Sequence, residues 1–339
     1  MNRRHFLAAS SLAGLSAFGG CGGPHYDFEL LNVSYDPTRE LYRKMNRMFA
    51  EDYLARTGLR GRVRQSHGGS GSQARSVIDG IQADVVTLAM WADIDNIRSK
   101  KLIANGWEGR LPDRSLPYHS TIVFVVRAGN PFGIKDWPDL LKPGVKVITA
   151  NPKTGGGAKL ALLGAWGSVL KSPGGTPAAA RDFVTEMYRR VPVLDTGARG
   201  ATVTFARKNI GDVHLTWENE AYLEKRELKD AVEIVYPKVS VRAEPHVALV
   251  DANVDKKGTR TAAEAYLKFL YTPAAQELIA QTYFRPSDPA VAKRFASEFP
   301  AIELFRATDP KMGLGDWNTI QTDFFAEGGV FDQIYQSGR

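Results

Sequence analysis

The chain has 339 residues and a formal net charge of +7, from 44 Lys and Arg against 37 Asp and Glu. That length suits two domains of ordinary size, and a single cysteine excludes a disulfide framework, so the fold relies on its core. The basic residues are interleaved with acids, without a basic run or zinc-ligand spacing. This argues against a nucleic-acid partner and leaves small anions or acidic surfaces to match the positive balance.

The start reads as an export signal over residues 1–21. Arg3-Arg4-His5-Phe6-Leu7 is a twin-arginine pair with a following Phe-Leu, and residues 8–18 form a small apolar core without an acid. Cys21, after Phe18-Gly19-Gly20, resembles a lipoprotein cleavage site, with Cys21 as the lipidated first residue. The other reading is a cut at a different bond that discards Cys21 or leaves it free. Either way the expected destination is the periplasm. No run of about eighteen apolar residues follows that would span a membrane.

In chain order, residues 28–34 predict a buried first strand. Asp36-Pro37 then opens a helix, with Asp36 as N-cap and Pro37 at the first helical position. Leu41, Met45, Met48 and Phe49 give that helix its spacing, and it ends near Gly58. A strand around Val63 leads to Gln65-Ser66-His67-Gly68-Gly69-Ser70-Gly71-Ser72 and then to a helix bearing Val77, Ile78 and Ile81. Glycines let the backbone approach a ligand, and the first N–H groups of a helix are unpaired and sit at its positive end. Such a turn is suited to an anion.

Residues 83–89 form a third strand, apolar enough to be covered on both faces. The strongest strand is 120–127. After it come a short helix at 136–140, a strand at 145–149, and a second glycine turn, Asn151-Pro152-Lys153-Thr154-Gly155-Gly156-Gly157-Ala158, ahead of a helix over 158–170. A helix over 178–188 precedes a third turn, Asp195-Thr196-Gly197-Ala198-Arg199-Gly200. Strands at 212–217, 232–236 and 243–250 and helices at 218–228, 261–271 and 272–282 follow, and 291–336 reads as helices and loops. Alternating strands and helices argue for an α/β architecture. The long strands at 120–127 and 244–250 bracket the central block, which predicts two α/β lobes crossed twice by the chain: 26–120 with 245–339, and 121–244. The turns at Asp36, Ser70, Gly155 and Ala198 all fall at strand ends, two in each lobe, where ligands of such sheets bind.

These residues carry a family likeness. The runs Leu30-Leu31-Asn32-Val33-Ser34-Tyr35-Asp36-Pro37-Thr38-Arg39-Glu40, Arg64-Gln65-Ser66-His67-Gly68-Gly69-Ser70-Gly71, Asp84-Val85-Val86-Thr87-Leu88-Ala89, Asn151-Pro152-Lys153, Gly197-Ala198-Arg199-Gly200 and Trp217-Glu218-Asn219-Glu220-Ala221 resemble the sulfate-binding proteins of periplasmic ABC importers, in order and over nearly all of the chain after the leader. The late runs Ala263-Glu264-Ala265-Tyr266-Leu267-Lys268-Phe269-Leu270-Tyr271 and Phe284-Arg285-Pro286 match as well. The resemblance implies a two-lobed type II periplasmic binding protein fold, two crossover strands and a ligand in the interlobe cleft. It implies a monomer without cofactor or metal that hands sulfate to ABC permease subunits.

For the site, the resemblance implies backbone N–H donors at Asp36, Ser70, Gly156, Gly157 and Ala198 and the indole N–H of Trp217. The Ser70 hydroxyl is a further expected donor, and His67 and Arg199 are expected to bond the turn backbones. A sulfate dianion has only acceptors, so a site of donors satisfies it. A protonated phosphate would bring a hydrogen that finds no acceptor, at a cost of about 1–3 kcal/mol or more. One departure is Gly155, where the family commonly has a serine whose hydroxyl donates to sulfate. Thr154 or a water is the expected substitute, or else a ligand change toward another oxyanion such as thiosulfate. Molybdate and phosphate are rival ligands. A hydrolase is a rival class, suggested by His67-Gly68-Gly69-Ser70, but the chain has no G-x-S-x-G elbow, P-loop or H-E-x-x-H, so catalysis lacks its parts.

Overall fold

A computed structural model describes residues 25–337, so the leader and its cysteine lie outside the described residues. Twelve strands form among the described residues: β1 (Phe28–Tyr35), β2 (Gly61–Gly68), β3 (Val85–Leu88), β4 (Tyr118–Arg127), β5 (Val147–Ala150), β6 (Leu194–Asp195), β7 (Val213–Trp217), β8 (Val232–Val235), β9 (Val239–Ala243), β10 (His246–Leu249), β11 (Arg285–Pro286) and β12 (Glu303–Phe305).

The first lobe is built on a four-stranded sheet in the order β10-β3-β1-β2. β1 runs parallel to β2 and β3, and β10 pairs antiparallel with β3. The helix Arg39–Thr57 covers one face, burying Leu41, Tyr42, Met45, Phe49 and Tyr53, and ends on Gly58 at φ 75°, a left-handed cap that glycine adopts without strain. The second lobe is built on a sheet in the order β12-β9-β4-β7-β5-β6, to which β8 and β11 add on β4. β5 is parallel to β6 and β7, whereas β4 is antiparallel to β7, β8 and β9. The helix Gly156–Leu170 is buried nearly all round, which is why its sequence lacks an amphipathic stripe.

Two strand passages join the lobes, as the sequence suggests. Tyr118 begins β4 inside the first lobe's core with Phe284, while Ile122, Phe124 and Val126 of the same strand lie in the second. The return is broken rather than continuous. β9 ends at Ala243, Glu244-Pro245 intervenes, and β10 starts at His246, since proline has no N–H to continue a ladder.

Three expectations need correction. The assignment of all of 245–339 to the first lobe fails for its last part. β12 pairs in parallel with β9, and Phe305, Phe324, Phe325, Phe331 and Ile334 share a core with Leu160, Trp166 and Val184. Residues 303–337 therefore return to the second lobe by a third passage. Asp36 is not an N-cap either. Tyr35 holds that position, Asp36–Thr38 form one 3-10 turn, and the Asp36 carboxylate pairs with Arg39 at 2.7 Å. Finally, the buried helix starts at Gly156 rather than Ala158, which makes Gly156 and Gly157 its first two residues.

Candidate functional site

Four helical segments start at one place between the lobes. Their N-caps are Tyr35, Gly69, Gly155 and Gly197, and none supplies a side-chain cap. Some helices elsewhere are capped, by Thr176, Thr272, Asp288 and Asp316, while others, such as Asp251–Lys257 and Arg260–Phe269, are not. The first N–H groups of a helix need an acceptor from outside. At these four ends the usual Ser, Thr or Asp acceptor is missing, and Asp36, Ser70, Gly156, Gly157 and Ala198 all line one cavity with Trp217. That cavity holds about 20 Å³, where a single water needs roughly 10–15 Å³. Among the described residues, no Lys or Arg lines it.

The glycines are required by close approach. A Cβ on Gly157 would stand 2.2 Å from the Trp217 Nε1, and one on Gly156 would stand 2.7 Å from the Ala89 Cβ of the other lobe. A Cβ on Gly69 would meet the Thr154 carbonyl oxygen at 2.4 Å. The lobes thus touch through bare backbone around the cavity. The Tyr35 and Trp217 rings pack across the cleft with centroids 5.1 Å apart.

Residues 38–285 match the family described as bacterial extracellular solute-binding protein. A sulfate-binding protein of Escherichia coli is 54% identical over 91% of this chain and 93% of its own length. A thiosulfate-binding protein of Pseudomonas aeruginosa is 47% identical over 98% of this chain and 99% of its own. The chain belongs to the bacterial extracellular solute-binding protein family. The solved structure of the sulfate-binding protein SubI from Mycobacterium tuberculosis superposes with a TM-score of 0.79 at 32% identity, covering 88% of this chain and 99% of that one. A fructose-6-phosphate-bound periplasmic protein from Actinobacillus pleuropneumoniae, at 15% identity and a TM-score of 0.62, shares the fold alone. The two-lobed arrangement is the type II periplasmic binding protein fold.

Within this solute-binding protein, the expected donors Asp36, Ser70, Gly156, Gly157, Ala198 and Trp217 are brought together. Trp217 is 1% exposed, so its ring is held firmly. Most of the supporting side chains differ from expectation. The Ser70 hydroxyl is engaged elsewhere, donating to Asp93 Oδ2 at 2.5 Å and accepting from the Ala89 N–H at 3.1 Å. Thr154 does not replace the missing serine, because its hydroxyl donates to the Thr196 carbonyl at 2.6 Å. Arg199 is exposed at the rim of the cleft and makes no hydrogen bond to a turn. His67, as expected, meets a turn backbone, at Thr38, although its Nε2 has no partner, and burial, with the Arg39 charge adding, pushes its imidazole down to about 4. Arg39, which the sequence left unassigned, donates to the His67 carbonyl at 3.2 Å.

Other residues of the site escape a reading by motif. Asn219, 1% exposed, donates from Nδ2 to the Pro37 carbonyl at 3.0 Å and so links the lobes beside Trp217. Asp93, which fixes Ser70, lies 4.0 Å from the buried Lys159 ammonium of the other lobe. Lys159 also donates to Gln321 at 2.8 Å. Glu218 accepts both Arg285 bonds, at 2.8 and 2.7 Å, and a third from Tyr236. This anchors the start of the helix Glu218–Leu228 directly behind Trp217. Burial raises the Glu220 carboxyl to about 8, and neighbouring Glu224 adds to the shift.

Proposed function

We propose that this chain is an exported binding protein that captures sulfate in the interlobe cleft and delivers it to ABC permease subunits. One observation carries the reading: uncapped backbone donors from both lobes, with an indole N–H, surround a cavity sized for a small ion and lined by no Lys or Arg among the described residues. The dianion's charge is spread over several helix ends rather than met by one cation. The Asp36 carboxylate is occupied by Arg39, so a phosphate proton finds no ready acceptor, which favours sulfate. The relatives named for sulfate and thiosulfate support the ligand class. Thiosulfate is the second reading, because Gly155 removes one expected hydroxyl donor and leaves room beside the anion.

Backbone donors at Asp36, Ser70, Gly156, Gly157 and Ala198, with Trp217, are the proposed contacts, and they hold an anion without a reactive group beside it. We read the protein as a binder rather than an enzyme, monomeric, periplasmic and held at the membrane through Cys21 where that residue is lipidated. Calorimetric titration of the processed chain with sulfate, thiosulfate, phosphate and molybdate tests the reading. One-to-one binding of sulfate or thiosulfate without phosphate supports it, and binding of none of the four overturns it.

A further inference from the structure

The cavity extends past the ring of backbone donors into the second lobe, and there it meets a buried hydroxyl with nothing to bond. Thr216 is 3% exposed, lines the cavity, and its Oγ1 has no hydrogen-bond partner. A buried polar group in that condition calls for a partner atom in the adjacent space. The register says where that space is. β5 and β7 pair with Val147 opposite Val213 and Ile148 opposite His214. Two residues further along, Ala150 and Thr216 stand side by side on one face, because side chains of paired strands alternate in step. Ala150 also borders the opening in front of Gly155: a Cβ on Gly155 would lie 3.6 Å from the Ala150 Cβ and 3.7 Å from the Ala158 Cβ, both ordinary contacts. A side chain would fit at 155, and none is there.

Two nearby hydroxyls are engaged elsewhere. Ser70 is bonded to Asp93 and Ala89, and Thr154 to Thr196. Thr149 is also unpartnered and lines the same cavity, but it precedes Ala150 on β5 and so stands on the Trp217 face of the sheet, away from the Ala150 side chain that borders Gly155. We propose that the Thr216 hydroxyl donates to the bound oxyanion and stands in for the hydroxyl that residue 155 lacks. The inference rests on reading this cavity as a tetrahedral-oxyanion site. It adds a ligand contact from β7 next to Trp217, on the other face of the same strand end.

The test is a cycle of four proteins: the parent chain, Thr216→Val, Gly155→Ser and the double variant, with Thr216→Ser as the conservative control. Each is titrated with sulfate and, in parallel, thiosulfate, and its melting temperature is recorded. Thr216→Val is expected to weaken binding of the preferred anion about tenfold or more, the range of one hydrogen bond to a charged group. Thr216→Ser is expected to stay within about threefold of the parent. With Ser at 155, the same valine change is expected to cost less than about threefold, because a donor is already present. Equal affinity of Thr216→Val and the parent overturns the proposal. So does an equal loss in both backgrounds, which would mark a packing role. A parent chain that binds none of sulfate, thiosulfate, phosphate or molybdate overturns the oxyanion reading itself and the Thr216 role with it.

Discussion

Single side chains at this site act through the donors they present or hold in place. Trp217 presents its indole N–H from a ring that is wedged against Gly157 and Tyr35. Trp217→Phe keeps most of the ring's volume and removes the donor, so sulfate affinity should fall by about ten- to a hundredfold while the melting temperature changes little. Calorimetry beside a thermal melt checks both halves. Glu220 gives a prediction in pH. Its folded value of about 8 lies above that of an unfolded glutamate, so the folded state holds a proton that the unfolded chain has lost. Its contribution is full below the unfolded value and declines as pH rises toward 8. His67 acts in the opposite sense, but only below the unfolded histidine value near 6.5. Denaturant midpoints should therefore fall between about pH 7 and 8.5, and Glu220→Gln should flatten that decline. A parental profile that is flat over this range contradicts the assignment. At this scale the helix ends that gather around the cavity were legible from glycine spacing and resemblance. Thr216 was not, because a threonine in a strand looks like any β-branched residue until its hydroxyl is found without a partner.

Elements reach the cleft because buried polar groups pin them. Asp84, fully buried ahead of β3, accepts from the Leu31 N–H at 2.6 Å and from Lys257 and Thr259. It fastens the returning helix Asp251–Lys257 to the first sheet. Asp84→Ala would leave the Leu31 N–H and the Thr259 hydroxyl without their acceptor, a loss of about 1–3 kcal/mol for each, while exposed Lys257 keeps the Gln82 carbonyl. The midpoint in urea should drop accordingly, and any sulfate bound by the folded fraction should bind with parental affinity. Strand and helix order in this chain follow hydrophobic runs and glycine punctuation, which is why β1, β3 and β4 could be read directly. What could not be read were local competitions. Glu244-Pro245 cuts an apolar run of strand-like residues in two, and the three glycines ahead of Ala158 look like loop until the uncapped helix that they begin is seen.

The proposed donors are divided between two lobes, each built on its own sheet, so binding is expected to be coupled to closure. Sulfate should reduce the radius of gyration seen by small-angle X-ray scattering. Gly156→Ala would place a methyl 2.7 Å from the Ala89 Cβ across the cleft. Each lobe would still fold, but the pair would be held ajar. The expected outcome is an unchanged melting temperature without sulfate, loss of the compaction, and binding weakened at least tenfold. Compaction by sulfate equal to the parent's would refute the contact as drawn. Lobe membership was only partly legible, because β12 is three residues long and the aromatic residues of 324–331 carry no mark of the partner they pack on. Lys159 and Gln321 show what that return achieves: the tail supports a lysine that faces the first lobe.

The bare-backbone contact at Gly69 and Gly156 has a kinetic meaning. At these two contacts the glycines have no side chain of their own to swing aside. A captured anion leaves only when the two halves part. Its residence time is then the waiting time of the hinge, so the dissociation rate should equal the opening rate and stay the same in the presence of excess competing anion. A transporter that receives this cargo has to work on the hinge, not on the ion.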